Sequence, residues 1–380
     1  MIRIIHLNTA RDWRGGERQV YNLLLGLQQN TQIEQMLIAR TDSELARRAR
    51  AEGIRVQELP LRGEWDYPSV RALRQSITEF QAAIVHAHTA KAHSLALWAC
   101  HQHKSPPALI VSRRVDFPIK RNWLSRKKYF DPLVSRYIAI SENIKNILLS
   151  DGINADKIDV VHSGIDLSRW AMKRSPARLQ SELRLHPDVL VIGNVAALVG
   201  HKDQHTLIRT LAVLNQISKA NPGDLPAWRC FILGQGELEN ELTKAARELK
   251  LLYPEGPLQF LGFRPEIEEY YALFDIFVLS SREEGLGTAV LDAMAAGLPV
   301  AATAAGGIPE MILPEKGGLL APIANAEALA HHLARLLKDD DLRRKMGQFN
   351  RKHVLRFSHE NTCLGNLAVY QNVIQQQERL

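Results

Sequence analysis

The most constraining feature of this sequence is an alternation of short apolar segments with amphipathic segments, which runs along the chain and then starts again. The first series begins with "RIIHL" at residues 3–7 and ends with "KIDVVHSG" at residues 157–164. The second series begins with "DVLVIGNVAAL" at residues 188–198. Strands that alternate with helices form a parallel sheet covered on both faces. The predicted fold is therefore α/β, with two Rossmann-like doubly wound domains.

The chain is long enough for two domains, because 380 residues exceed what one hydrophobic core usually holds. We predict a first domain at residues 1–168 and a second at residues 169–357. A last helix, at about residues 358–380, is predicted to pack back on the first domain. Ligands of such sheets bind beyond the carboxyl ends of the strands. We therefore expect both domains to face a central cleft that holds the chemistry.

The cysteines and the apolar runs indicate the cellular compartment of the protein. Cys100, Cys230 and Cys363 are far apart and have no metal-binding or redox spacing, which favours a reducing cytoplasm. The chain reaches Arg11 too early for the apolar region of a signal peptide. No apolar run approaches the roughly 20 residues that span a bilayer. We expect a soluble cytoplasmic protein.

Positive charge is concentrated in the first half of the chain. Residues 1–170 carry 25 Lys and Arg against 17 Asp and Glu, whereas residues 171–380 carry 23 against 24. A basic field on one side indicates an anionic partner. The densest part is "RRVDFPIKRNWLSRKKYFDPL" at residues 113–133, where aromatic residues alternate with cations, among them Lys120 and Arg121.

This basic aromatic segment, residues 113–133, suits a peripheral position on anionic lipid headgroups at the inner face of the cell membrane. The alternative is a solvated basic helix that covers the core. Nucleic acid is not expected as a partner, because no recognised binding motif accompanies the charge.

The stretch "SREEGLGTAVLDAMAAGLPVAAT", residues 281–303, indicates a ligand site. Gly285 and Gly287 let the backbone approach a ligand at the start of a helix, where free N–H groups favour phosphate. Glu284 stands just outside the helix, and Asp292 follows eight residues later, nearly two helical turns. A ligand along this helix could offer phosphates to the amides and hydroxyls to both carboxylates, as a nucleotide sugar does. The alternative is a glycine-rich turn whose carboxylates merely favour the helix N-terminus.

The same stretch resembles the signature of the family 4 retaining glycosyltransferases, which have the two-domain GT-B fold. Other segments resemble family segments in the same order along nearly the whole chain. They are "GGERQVYNLLLGL", "VHAHTAKAHSLA", "AISENIK", "KIDVVHSGID", "HKDQHTLI", "LGQGEL", "FLGF" and "GGIPEMI".

The resemblance implies a role for each matching residue. Glu284 would hold hydroxyls of the donor sugar, Asp292 the ribose, and Lys202 the leaving diphosphate. The candidate catalytic residues are Glu284, Lys202 and His88. The remaining donor-binding candidates are Gly15 and Gly16 for phosphate contacts from the other domain, the amides of Leu286, Gly287 and Thr288 for the diphosphate, Gly285 beside them, and Gly234, Phe263 and Arg264 for the base pocket. Arg264 could equally be a surface residue.

Two positions depart from the family pattern. Asp292 stands where the family has Glu, and Ala197 stands where it often has Arg, five residues before Lys202. Another cation is then expected to help Lys202 neutralise the leaving diphosphate. Arg113 and Arg114, at the end of a strand where many relatives have histidine, are candidates for this role or for binding an anionic acceptor.

His86 and His88 are two residues apart on a predicted strand, so both point to one face. We predict no metal, because no third ligand stands nearby in sequence and the similar enzymes need none. His88 is predicted to contact donor or acceptor. The alternative is a buried histidine with a satisfied hydrogen bond.

The resemblance implies transfer of a sugar, with retention, from a UDP- or GDP-linked donor to a hydroxyl of a lipid-linked or cell-envelope glycan such as lipopolysaccharide core. No cofactor is expected. An epimerase of the same fold and a non-catalytic nucleotide-sugar-binding subunit are the alternatives. An NAD-dependent oxidoreductase is disfavoured, because the first strand leads to "NTARDWRGG" and not to a Gly-x-Gly-x-x-Gly turn.

Overall fold

The computed structural model describes residues 1–120, 122–172, 174–220 and 222–378. Arg121 of the basic aromatic segment and residues 379 and 380 of the predicted last helix lie outside this part of the chain. Two compact units are present. The first comprises Met1–Gly164 and Ser358–Leu380, and the second comprises Ile165–Phe357.

The first unit contains a parallel sheet of seven strands in the order β3-β2-β1-β4-β5-β6-β7. Its strands are β1 (Ile2–Asn8), β2 (Ile33–Arg40), β3 (Arg55–Leu59), β4 (Ile84–Ala87), β5 (Ala108–Arg113), β6 (Val134–Ala139) and β7 (Ile158–Val160). Its first six helices are α1 (Gly15–Gln28), α2 (Glu44–Ala51), α3 (Tyr67–Phe80), α4 (Ala90–His101), α5 (Trp123–Tyr129) and α6 (Glu142–Ser150).

The second unit contains a parallel sheet of six strands in the order β10-β9-β8-β11-β12-β13. Its strands are β8 (Leu190–Val195), β9 (Trp228–Leu233), β10 (Leu258–Gly262), β11 (Ile276–Leu279), β12 (Val300–Thr303) and β13 (Gly318–Ala321). Its helices are α7 (Ala177–Glu182), α8 (Gln204–Ala220), α9 (Glu239–Glu248), α10 (Ile267–Leu273), α11 (Thr288–Ala296), α12 (Ile308–Met311), α13 (Ala326–Lys338) and α14 (Asp340–His353).

Both faces of the first sheet are buried, as the continuous apolar strands require. Ile5 and Leu7 of β1 belong to the core beneath α3 and α4. Ile4, on the opposite face, packs with Tyr370 and Val373. Those two residues belong to the last helix, α15 (His359–Gln377), which returns to the first unit and covers its sheet beside α1. The predicted pair of doubly wound α/β domains is confirmed.

No helix in the described ranges has the length and apolar character to cross a bilayer.

Candidate functional site

Lys202 and Glu284 form an ion pair in the second unit, although 82 residues separate them in sequence. Lys202 ends a 3-10 turn that follows β8, and Glu284 lies in the loop that follows the neighbouring strand β11. Because parallel strands end at one edge of a sheet, both loops meet there. The two side chains are only 18% and 11% exposed, so little water weakens their attraction. Ser281 Oγ also donates to the Glu284 carboxylate over 3.2 Å.

Hydrogen bonds join the two loops around this ion pair. Ser280 Oγ donates to the backbone oxygen of Asp203 over 2.9 Å. The buried Asp203 carboxylate accepts from Arg282 Nε over 2.7 Å and from Thr206 Oγ1 over 2.6 Å. These hydrogen bonds fix the positions of the two loops that carry Lys202 and Glu284.

Helix α11 begins directly beside the pair. Its N-cap is Gly287, with φ of +97°, a backbone conformation that residues with a side chain rarely adopt. A Cβ at this position would lie 3.1 Å from Glu284 Cγ and 3.2 Å from Met311 Cε. Gly287 has no side chain to accept from the first-turn amides, so the N-terminus of this nine-residue helix keeps donors and partial positive charge for a ligand.

The predicted helical spacing of the two carboxylates is wrong. Glu284 precedes α11 by four residues, so no two helical turns connect it with Asp292. Asp292 is buried on the helix, one turn after the half-buried Thr288. Leu286 is buried and Gly285 half-buried in the loop before the helix. A ligand at the helix start would reach Glu284 from the loop side and Asp292 from the helix side.

The remaining candidates of the second unit also follow carboxyl ends of strands. Gly234 comes directly after β9 with φ of +140°, and a Cβ there would lie 1.9 Å from the Ala196 oxygen. Only glycine fits this close approach. Phe263 and Arg264 follow β10 and are exposed. Strand order thus places every candidate of this unit along one edge of its sheet.

In the first unit, a cluster of three buried histidines occupies the face covered by α15. His6 of β1 is the register partner of His86 on β4, and His88 follows on the same face. His6 Nδ1 lies 3.0 Å from His88 Nε2. His86 lies 2.7 Å from the Tyr370 hydroxyl through Nδ1 and 2.8 Å from Ser112 Oγ through Nε2. The sequence analysis did not predict that His6 joins His86 and His88, because only the pairing of β1 with β4 brings it beside them. The position of His6 on the first predicted strand was the one sequence feature that could have indicated this.

Arg114 fixes the protonation pattern of this cluster. Its Nη2 lies 3.5 Å from His88 Nδ1, and a guanidinium can only donate. His88 Nδ1 therefore accepts a hydrogen bond from Arg114. His88 Nε2–H then donates to His6 Nδ1, so His6 carries its proton on Nε2. No described residue provides a hydrogen-bond partner for His6 Nε2. Burial lowers the pKa of Arg114 to about 10, while the carboxylate of Glu17 opposes that shift.

The three histidines could each direct one nitrogen at a metal ion, since these atoms lie within 4.8 Å of one another. The surroundings favour a hydrogen-bonded network instead. His86 uses both nitrogens for Tyr370 and Ser112, and the Arg114 cation beside His88 repels a second cation. Burial lowers the pKa of His6 to about 3 and those of His86 and His88 well below the ordinary value, so all three are neutral.

Arg113 is the last residue of β5 and Arg114 directly follows it, and the two side chains have different partners. Arg113 is buried; its Nη1 donates to the Tyr129 hydroxyl over 2.8 Å, and its Nη2 donates to the Phe117 oxygen. Arg113 therefore anchors the basic aromatic segment, whereas Arg114 faces the histidines.

Gly15 and Gly16 are the first two residues of α1, after the N-cap Arg14. The Arg14 amide donates to Glu17 Oε2 over 3.1 Å. A Cβ on Gly16 would meet no atom within 4 Å. Neither packing nor backbone conformation requires glycine at Gly16, so its predicted contact with donor phosphate stays a prediction.

The basic aromatic segment presents large apolar side chains to solvent. Trp123 is 69% exposed, and Lys127 Nζ lies 5.3 Å from its ring centroid. Phe117, Leu124 and Phe130 are also exposed. Lys128 differs from the other cations, because its Nζ donates inward to the Ala90 oxygen over 2.7 Å.

Two family models match the chain, one in each unit. The model described as Glycosyltransferase Family 4 matches residues 13–169. The model described as Glycosyl transferases group 1 matches residues 177–353.

Similar proteins include glycosyltransferases from several bacteria. EpsD of Bacillus subtilis is 28% identical over 79% of this chain and 79% of its own length. The amylovoran biosynthesis glycosyltransferase AmsK of Erwinia amylovora is 33% identical over 52% of this chain and 46% of its own. The lipopolysaccharide core biosynthesis glycosyltransferase LpsE of Rhizobium meliloti is 28% identical over 46% of this chain and 50% of its own.

Solved structures share the fold. A glycosyltransferase of Rickettsia africae gives a TM-score of 0.82 at 19% identity over 98% of both chains. Anabaena HepE, solved in complex with UDP-glucose, gives 0.80 at 21% identity over 100% of both chains. The resemblance drawn from the motifs is thereby confirmed. Because a Family 4 domain and a group 1 domain follow one another on two such sheets, this chain belongs to the glycosyltransferases of the GT-B fold.

Proposed function

We propose that this glycosyltransferase moves a sugar from a nucleotide diphosphate sugar to a hydroxyl group, with retention of the anomeric configuration. The observation that carries the proposal is the Lys202–Glu284 pair beside the N-terminus of α11. One cation, one carboxylate and the amides of a helix start at a single edge of the sheet complement the diphosphate and hydroxyls of such a donor.

Each group has a distinct task in this proposal. The amides of Gly287 and Thr288 receive the diphosphate oxygens. Lys202 leaves Glu284 and neutralises the phosphate, and Glu284 accepts hydrogen bonds from sugar hydroxyls. The ion pair of the free protein is thus exchanged for two contacts with the donor, so neither charge is left buried without a partner.

Transfer then depends on the charge of the leaving group. The bond between the sugar carbon and the diphosphate oxygen breaks, and negative charge grows on that oxygen, where Lys202 and the helix amides stabilise it. The acceptor hydroxyl forms the new bond on the same face, and its proton passes to the departing phosphate. This route keeps the configuration and requires no carboxylate nucleophile.

UDP-linked sugars are the first donors to consider, since HepE of the same fold was solved with UDP-glucose. For the acceptor we propose a lipid-linked or envelope glycan. The exposed Trp123 and Leu124 beside the cations of the basic aromatic segment support placement on anionic lipid. The names of LpsE and AmsK, both of which refer to polysaccharide synthesis, agree with this class.

The test is turnover of a panel of UDP- and GDP-sugars by the purified protein, followed by NMR of the anomeric proton in the released or transferred sugar. We expect turnover with retention for at least one donor, and a loss of about a hundredfold or more in Glu284→Gln. Glu283→Gln, which changes the exposed neighbour, is the matched control and should retain activity. An inverted product contradicts the mechanism. An epimerised donor supports the epimerase, and no turnover of any donor supports the non-catalytic subunit.

A further inference from the structure

The second unit contains a cavity of about 550 Å³ that is separate from the candidate donor site. Ala295, Ala296 and Gly297, at the carboxyl end of α11, form part of its wall. The helix start, which is the candidate diphosphate site, lies at the other end of this nine-residue helix, roughly 13 Å away at 1.5 Å per residue, and the ribose candidate Asp292 lies between the two ends. The volume lies in the range of about 300–1,000 Å³ that is usual for small-molecule sites.

Aromatic side chains form the inner surface of this cavity. Trp170 meets the fully buried Tyr271 edge to face, with ring centroids 5.2 Å apart, and Phe274 lies beside them. At the mouth, Met172 is 73% exposed and Leu355 is 60% exposed. Apolar side chains inside and at the entrance of one cavity favour a ligand with an apolar body.

Positive charge surrounds the same cavity. Among the described residues, three arginines and one carboxylate line it: Arg169, Arg174, Arg351 and Glu268. Arg169 is paired with Glu268, and Arg351 Nη2 donates to the Ala296 oxygen over 3.1 Å. No described residue is paired with Arg174. The cavity therefore has a net positive lining, with one guanidinium available at its edge.

We propose that this cavity binds an amphipathic organic anion, with its ring or chain against the half-buried Trp170 and its anionic group at Arg174. The apolar wall and the excess of arginines each indicate one part of that ligand. This site is independent of the proposed sugar transfer.

The experiment is a fluorescence titration of the full-length protein with 8-anilinonaphthalene-1-sulfonate, an aromatic sulfonate whose emission rises in apolar surroundings. We expect one saturable site. Arg174→Gln, an exposed substitution, should raise the dissociation constant about tenfold, because it removes a hydrogen bond to a charged group. Trp170→Phe, which replaces the indole with a smaller ring and removes apolar contact area, should raise it by a smaller factor. Arg344→Gln, an exposed arginine of α14 outside the cavity, is the matched control and should change nothing.

Two further arms test the chemistry and the location. N-phenyl-1-naphthylamine, which has the same apolar body without the sulfonate, should bind at least tenfold more weakly. Saturating UDP should not displace the sulfonate. Equal binding of both naphthalenes, displacement by UDP, or unchanged affinity in both Arg174→Gln and Trp170→Phe would overturn the proposal.

Discussion

Lys202 and Glu284, which follow neighbouring strands of the second sheet, form a shielded ion pair beside the N-terminus of α11. Burial of both groups makes their attraction stronger than that of a surface pair, which is worth at most about 1 kcal/mol. It also means that removing one partner leaves the other charge in poor solvation. In the proposed mechanism a donor opens this pair, because its phosphate compensates Lys202 and its sugar hydroxyls donate hydrogen bonds to Glu284.

The first prediction concerns this pair as a catalytic unit. Lys202→Ala and Glu284→Ala should each lower turnover by about a hundredfold or more. The double variant should lose less than the product of the two factors, because both residues act on one bound donor. Steady-state kinetics of the four proteins in the cycle measure this. Strictly multiplicative losses would show that the residues act independently.

The second prediction concerns the backbone at the helix start. Gly287→Ala places a side chain at φ of +97° and close to Glu284 and Met311, so it should destabilise the second unit by about 1–3 kcal/mol. Gly223→Ala is the matched control, since Gly223 has φ of +87° but nothing within 4 Å of the added Cβ. Denaturant unfolding should show a larger loss for Gly287→Ala. Equal losses would mean that conformation alone, without crowding, requires glycine there.

The third prediction concerns the pH dependence of stability. His93 of α4 is fully buried, neither ring nitrogen has a described hydrogen-bond partner, and its ring meets Tyr129 and Tyr137 edge on. Burial, with Lys128 and Arg113 nearby, holds its pKa well below the ordinary value. The unfolded chain therefore binds the proton first as pH falls below about 6.5.

Stability should accordingly be constant above about pH 7 and decline as pH falls through 6.5, by up to about 1.4 kcal/mol per pH unit for each such histidine. His93→Phe keeps the aromatic packing and removes one proton-binding site. Urea unfolding between pH 7.5 and 5.5 should show a smaller decline for this variant, and greater stability at pH 7.5. An unchanged slope would contradict the neutral, buried state of His93.

The fourth prediction concerns the basic aromatic segment. Trp123→Ser with Leu124→Ser removes two exposed apolar side chains and should lower binding to phosphatidylglycerol-containing vesicles by at least tenfold. Leu249→Ser, an exposed leucine in the second unit, is the control. Vesicle flotation checks this, and added salt should weaken binding of the unmodified protein. Equal flotation on phosphatidylcholine alone would rule out the anionic surface as the partner.

The local hydrophobic pattern was sufficient to predict the fold, because strands that are buried on both faces have continuous apolar sequences between amphipathic helices. The glycine-rich stretch after a predicted strand also indicated Glu284, whereas the role of Lys202 was implied by the family resemblance. The order of strands along the edge, which brings them together, is a property of the folded sheet.

Properties that depend on pairing between distant segments could not be read in this way. His6 joins His86 through the β1–β4 register, and the helical relation of Glu284 to Asp292 failed because α11 begins only at Thr288. Arg113 and Arg114 have different partners in the folded chain. The cavity at Trp170 is likewise built from four segments far apart in sequence.

The central claim is that the edge of the second sheet binds a nucleoside diphosphate through Lys202 and the first turn of α11. Calorimetric titration of the protein with UDP and with GDP tests it most directly. We predict one binding site for at least one of the two nucleotides, with affinity at least tenfold lower in Lys202→Ala and unchanged in Lys244→Ala, an exposed lysine of α9. Absence of binding to both nucleotides, or equal affinity in the Lys202→Ala variant, would contradict the claim.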